Sequence, residues 1–167
     1  GLAFKAPEIS GSFKDWINSR PLKIENLRGR VVADKGTAKL GGLDLTPRQL
    51  VGINRVGLLG CGPAHHACQI GAMAIEQLAH VPATAEIASE FRYRDPIITD
   101  KTLCIAISQS GETADTLAAM RMAKAEGARC LSICNVVEAT IARESDGVFY
   151  THAGPEIGVA STKAFST

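Results

Sequence analysis

Three hydroxyls fall within six residues at Ser108-Gln109-Ser110-Gly111-Glu112-Thr113. The apolar run Thr102–Ser108 (TLCIAIS) comes before them, and the Ala-rich stretch Glu112–Glu126, closed by Gly127, comes after. Such a run reads as a strand covered on both faces. The stretch behind it reads as a helix with a glycine at its C′ position. The hydroxyls therefore stand where a helix begins. The first N–H groups of a helix lack intrahelical partners and lie at the positive end of its dipole, which suits a phosphate. Ser and Thr add donors without bulk, and Gly111 lets backbone approach closely. No Lys follows the glycine, so this is not a nucleotide P-loop. A second reading needs no ligand: Ser110 caps the helix and Thr113 sits in its first turn. The pattern leaves both open.

A second glycine-rich turn, Gly60-Cys61-Gly62-Pro63-Ala64-His65-His66, follows the short apolar segment Arg55–Gly60. It is not G-x-G-x-x-G, and G-C-G alone is a weak ligand signal. The His65–His66 pair could suggest a metal with Cys61, but nothing else in the sequence completes a convincing ligand set, so no metal is expected. No base is assigned to Cys61, so it is not read as a nucleophile. Glu86, Glu90, Arg92 and Arg94 crowd EIASEFRYR as a solvated or inter-subunit ion-pair network. Glu156 and Lys163 flank GVAST, either reaching a site or capping a last helix.

The elements that must carry these residues alternate. Strands are expected at Arg55–Gly60, Ala83–Ile87, Thr102–Ser108, Arg129–Cys134 and Gly147–Thr151. Helices are expected at Ala64–Ala79, with Ile70, Ala74 and Leu78 on one face, at Glu112–Glu126 and at Ala139–Arg143, with a short one near Ala88–Arg92. This order predicts an α/β fold, a three-layer α/β/α sandwich around a mostly parallel sheet. Ligands of such sheets bind beyond the carboxyl ends of the strands. The loops after Leu59, Ile107 and Cys134 are therefore the places for chemistry. Residues 1–54 are polar and rich in turn signals, and read as an N-terminal arm leading into a domain over 55–167. Short helices fit Ser12–Ser19 and Thr46–Ile53, the latter with Pro47 in its first position. The chain opens on Gly1 and stops as a helix begins, which reads as a domain excised from a longer polypeptide.

Composition narrows the function classes. Of 167 residues, 46% are hydrophobic and 21% charged, ordinary for a globular domain and far from disorder. Residues 1–60 hold 10 Lys/Arg against 5 Asp/Glu, but the basic residues are dispersed. With only 5% aromatics, neither a basic face nor a stacking platform is present, so no nucleic-acid partner is expected. No apolar run approaches the ~20 residues of a membrane span, and no signal peptide is visible. The cysteines (Cys61, Cys68, Cys104, Cys130, Cys134) are odd in number and mostly in strand-like segments. They read as buried free thiols of a cytoplasmic protein.

ISQSGETADTL (Ile107–Leu117), with EIASEFRYR before it and EIGVASTKAF (Glu156–Phe165) after it, closely resembles glutamine–fructose-6-phosphate aminotransferases (isomerizing), the glucosamine-6-phosphate synthases. GTAKLGGLDL (Gly36–Leu45) and ICNVVEATIARESD (Ile133–Asp146) extend the likeness. The resemblance implies a flavodoxin-like sugar-isomerase (SIS) fold with a five-stranded parallel sheet, here the first of two such halves. It implies ammonia transfer from glutamine to fructose 6-phosphate and isomerisation to glucosamine 6-phosphate, without a cofactor, in a homodimer. A glutaminase domain and a second SIS half are expected in the full-length chain. Those parts would carry the acid/base Glu, the ring-opening His and the Schiff-base Lys. No residue here inherits a catalytic role, and the 167 residues alone are expected to be inactive. What the resemblance carries over is phosphosugar binding. Ser108, Gln109, Ser110 and Thr113 match the phosphate motif around Gly111, and Val159 and Ser161 match positions lining the sugar. Cys61 and Gly62 match the first half of a C-G-T-S loop, where Pro63 and Ala64 replace the hydroxyl pair. Other readings are a sugar-phosphate-sensing SIS module of a regulator, or a related sugar-phosphate isomerase or deglycase.

Overall fold

The structure, a computed structural model, describes residues 29–32, 37–40 and 47–166, with side chains from Gln49 onward. The expected helix at Ser12–Ser19 lies outside the described residues. Within the expected arm, β1 (Gly29–Val32) and β2 (Thr37–Leu40) pair antiparallel, with Gly29 opposite Leu40 and Val32 opposite Thr37. This hairpin was not expected from the sequence: GRVV does not alternate, and TAKL alternates over only four residues, the shortest run that marks a half-buried strand. Helix α1 (Pro47–Gly52) follows.

The domain proper runs β3 (Arg55–Gly60), α2 (Pro63–Ala79), β4 (Ala83–Ile87), α3 (Ala88–Phe91), β5 (Thr102–Ser108), α4 (Ala114–Ala125), β6 (Arg129–Cys134), α5 (Thr140–Glu144), β7 (Gly147–Tyr150) and α6 (Thr162–Phe165). The sheet has the order β4-β3-β5-β6-β7 and every pair is parallel. All five strands lie where the apolar runs place them. The chain passes from β3 outward to β4, then returns across β3 to β5. That reversal puts α2 on one face and α4 on the other, and opens a crevice where the turns after β3 and β5 diverge.

Strand alternation sorts the core into two clusters. Leu59, Cys104, Ala106, Cys130 and Cys134 pack with Leu117, Met120 and Ala123 of α4. Val56, Leu58, Leu103 and Leu131 pack with Cys68 and Ala72 of α2. The Ile70–Ala74–Leu78 stripe, the apolar face read for α2, does not enter this core. Ile70 is 61% and Leu78 58% exposed. The helix instead buries Cys68 and Ala72, because small residues let it sit close on the sheet.

Helix α4 begins two residues later than its composition predicts and ends as read. Gly127 takes φ +94°, its N–H donates to the Lys124 carbonyl at 3.1 Å, and the Ala128 N–H donates to Ala123 at 3.0 Å. These two bonds are a Schellman closure. Arg121 of α4 makes two 2.6 Å bonds to the Glu144 carboxylate, tying α4 to α5.

Candidate functional site

A cleft of about 720 Å³ opens at the carboxyl ends of β3 and β5. Leu58, Ile105, Ile107 and Ile133 line it from the α2 face of the sheet, and Ile70 and Ala74 line it from α2 itself. The Ile70 and Ala74 part of the α2 stripe is thus a wall of the cleft. Cys61, Ser108, Gln109, Ser110, Thr113, Val159 and Ser161, all singled out by sequence, line the same cleft. Gly62 and Gly111 are not in its lining; they set the shape of its two turns.

The turn after β5 is held from several sides. Buried Ser108 accepts the Gly111 N–H at 3.0 Å, and its Oγ lies 3.3 Å from Thr113 Oγ1. Ser110 Oγ accepts the Glu112 N–H at 3.2 Å. Those two bonds delay the helix, so its N-cap is Thr113, which makes no side-chain capping bond. The capping role considered for Ser110 is therefore not what the structure has. The N–H groups of Ala114, Asp115 and Thr116 form the free donor end of α4. A hydroxyl that accepts from backbone keeps its own hydrogen to donate.

Gly111 has a packing role that the sequence does not show. At φ +68°, a Cβ on it would lie 2.4 Å from Ala139 Cβ and 2.7 Å from Cys134 Sγ. Its bareness lets the turn pack onto the β6–α5 segment. That segment grips the turn at three points. The Ile141 N–H donates to Gly111 O at 3.1 Å, the Asn135 N–H to Gln109 O at 3.2 Å, and the Thr140 N–H to Glu112 Oε1 at 2.7 Å. The Thr140 bond holds the Glu112 carboxyl below its usual range.

The turn after β3 is looser. Gly62 takes φ +56° and ψ −132°, with nothing within 4 Å of a Cβ built on it. Pro63 opens α2 with no N–H to offer. Thr116, fully buried in α4, points its hydroxyl at Cys61 Sγ, 3.9 Å away. His66 Nδ1 is 3.1 Å from Gln69 Oε1, a partner within its own helix.

The third wall is the loop after β7. Glu156 accepts the Gly158 N–H at 3.0 Å and the Ala164 N–H at 3.1 Å, and these bonds, the Ala164 one foremost, lower its pKa. Lys163 Nζ donates to the Pro155 carbonyl at 2.8 Å. Glu156 and Lys163 thus hold the GVAST loop and the start of α6. Ser161 takes left-handed backbone at φ +52°, uncommon for a residue with a side chain. Of the EIASEFRYR charges, Arg94 and Glu86 pair at 2.6 Å with Arg94 half exposed. Sequence reasoning missed Asn135, Thr116 and Glu112 as braces. Only Asn135 left a signal, a polar residue directly behind a buried strand at one of the three loops singled out.

The SIS domain model matches residues 49–167. The chain belongs to the SIS domain family. It is 47% identical over 161 residues to the glutamine–fructose-6-phosphate aminotransferase (isomerizing) of Clostridium perfringens, covering 94% of this chain and 26% of that protein. It is 52% identical over 143 residues to the enzyme of that name from Streptomyces coelicolor, covering 86% and 23%. Among solved structures, the C-terminal domain of glucosamine-fructose-6-phosphate aminotransferase from Francisella tularensis superposes with a TM-score of 0.68 at 45% identity, over 71% of this chain and 34% of that one. This SIS chain spans about a quarter of the length of the curated relatives it matches.

Proposed function

We propose that this SIS domain binds the sugar phosphate in an enzyme that aminates fructose 6-phosphate with glutamine-derived ammonia and isomerises the product to glucosamine 6-phosphate. The observation that carries the reading is the convergence of Ser108, Gln109, Ser110, Thr113, Val159 and Ser161 on one cleft at the free end of α4. The two ends of the cleft have different chemistry. Oriented N–H groups and hydroxyls suit the phosphate, and the loop bearing Val159 and Ser161 suits the sugar carbons and hydroxyls. The turn itself contains no Lys or Arg, and Asp115 in the first turn of α4 competes for the same dipole. Affinity for a dianion is therefore modest. Pro63 and Ala64 line the cleft without donors, which leaves the exact sugar open and keeps a related isomerase or deglycase as the second reading.

The domain starts near Arg55, behind an arm. In the full-length protein a glutaminase domain and a second SIS half supply the chemical groups, and the protein works in the cytoplasm as a homodimer. The exposed Met73 and Leu78 of α2, outside the cleft, support an apolar partner surface there. No helix among the described residues is long and apolar enough to cross a membrane, and all five cysteines are free thiols. Calorimetry with glucosamine 6-phosphate against glucosamine tests the reading. The phosphorylated sugar is expected to bind more tightly, and Ser110→Ala to weaken it by up to about tenfold, one hydrogen bond's worth. Equal affinity for the two sugars, unmoved by Ser110→Ala, would remove the phosphate site.

A further inference from the structure

One residue ties the two ends of the cleft together. Asn135 follows β6 directly and lines both the main cleft and a neighbouring cavity of about 440 Å³ that also includes Gln109, His152 and Glu156. Its backbone N–H donates to Gln109 O in the phosphate turn. Its side chain turns the other way. Oδ1 accepts from the Ala153 N–H at 2.8 Å and from Thr151 Oγ1 at 3.2 Å, while Nδ2 donates to the Gly154 carbonyl at 2.8 Å. Two donors converging on one atom and a carbonyl on the other fix the amide's orientation.

We propose that Asn135 is a positioning residue that sets the sugar-facing loop, 151–161, at its working distance from the phosphate turn. It thereby tunes affinity for the sugar half of the ligand and leaves the phosphate half alone. The assignment rests on the sugar-phosphate reading above. The division follows from which atoms make which bonds. The link to Gln109 is backbone and survives any substitution of the side chain. The three links to Thr151, Ala153 and Gly154 are side chain and do not. Behind them the loop has its second anchor at Glu156, so Val159 and Ser161 are held from both ends. The Thr151 N–H still donates to Cys134 O at 3.0 Å, so loss of the Asn135 side chain frees the loop from Ala153 to Gly154, while Ser108, Ser110 and Gly111 keep their own bonds within and around the turn.

The test compares the chain with its Asn135→Ala and Asn135→Asp variants. Amide hydrogen exchange without ligand is expected to quicken about tenfold at Ala153 in Asn135→Ala, the loss of one hydrogen bond. Glu112 should be unchanged, and Asp, which keeps the acceptor, should restore slow exchange at Ala153. By calorimetry, Asn135→Ala should lose about tenfold in affinity for glucosamine 6-phosphate and stay within about twofold for inorganic phosphate. A merely structural role would move both ligands together, and that result overturns the assignment. So does a variant that binds the sugar phosphate as the wild type does. If the wild-type chain itself fails to bind glucosamine 6-phosphate, the function proposed above falls and the assignment falls with it.

Discussion

The turns after β3 and β5 occupy equivalent places, each between a buried parallel strand and a long helix at the point where the strand order reverses. Physically they are opposites. The second is closed: a Cβ at Gly111 would meet three neighbouring side chains at 3.0 Å or less, and the β6–α5 segment holds it by three backbone N–H groups. The first is open: a Cβ at Gly62 would meet nothing within 4 Å, and Pro63 withholds a donor. On the sugar-phosphate reading proposed above, the second turn must keep its donors aimed before the anion arrives, which demands bracing. A turn that only bounds the cleft needs the backbone angle alone.

Alanine at each glycine separates the two requirements, and this is the largest effect expected. Gly111→Ala combines left-handed strain with overpacking against Ala139 and Cys134, which should cost about 4 kcal/mol. Gly62→Ala carries only the backbone term, about 1–2 kcal/mol. Urea unfolding of both variants measures the difference. Equal losses would mean that the bracing of the second turn is no tighter than that of the first.

The converse change gives the first turn what the second has. Pro63→Thr with Ala64→Ser adds two hydroxyls to the cleft wall. Each new neutral hydrogen bond to ligand contributes about 0.5–1.5 kcal/mol, so the two together should raise affinity for glucosamine 6-phosphate by about 5- to 150-fold. Loss of Pro63 at the first helical position frees the unfolded chain and should cost about 0.4–1 kcal/mol of stability. Titration calorimetry reads the first effect and thermal unfolding the second. Unchanged affinity would mean that the sugar phosphate does not reach this turn.

The difference between the turns also marks where sequence reasoning held and where it stopped. The strands β3, β5 and β6 were legible because a strand covered on both faces is a continuous apolar run, and nothing else in the chain looks like Thr102–Ser108. The donor-rich turn was legible because its hydroxyls are adjacent in sequence. What braces it was not, since Glu112 to Thr140 and Gly111 against Ala139 are contacts across 28 residues. The packing role of Gly111 was hidden for the same reason: sequence records that a side chain is missing, and only packing shows what stands in its place. The apolar stripe of α2 misled in the other direction. Ile70, Ala74 and Leu78 have the spacing of a core face, but Cys68 and Ala72 allow closer approach to β3, so the larger residues were left for the cleft and the surface.

The smallest expected effect uses the open turn as a reporter. Cys61 is half-buried on the cleft wall, whereas Cys68, Cys104, Cys130 and Cys134 are buried. The thiolate is the nucleophile, and burial pushes the Cys68 thiol up to about 12, so it stays protonated at neutral pH. Burial raises Cys134 as well. Iodoacetamide should therefore modify one thiol in the folded chain, Cys61, with little change in stability. A ligand seated between the turns covers that sulfur. Glucosamine 6-phosphate at ten times its dissociation constant should slow the reaction by about tenfold, the factor by which it depletes the free protein. Glucosamine at the same concentration should do little. Mass spectrometry of the digested protein locates the label. Labelling of Cys134 in Gly111→Ala, where the added methyl group displaces its sulfur, would show the closed turn opening while the open turn reacts as before. No protection of Cys61 by the phosphate ester would place the ligand away from the first turn and leave the second turn to hold it unaided, and equal protection by glucosamine would mean that the phosphate contributes nothing to binding in this cleft.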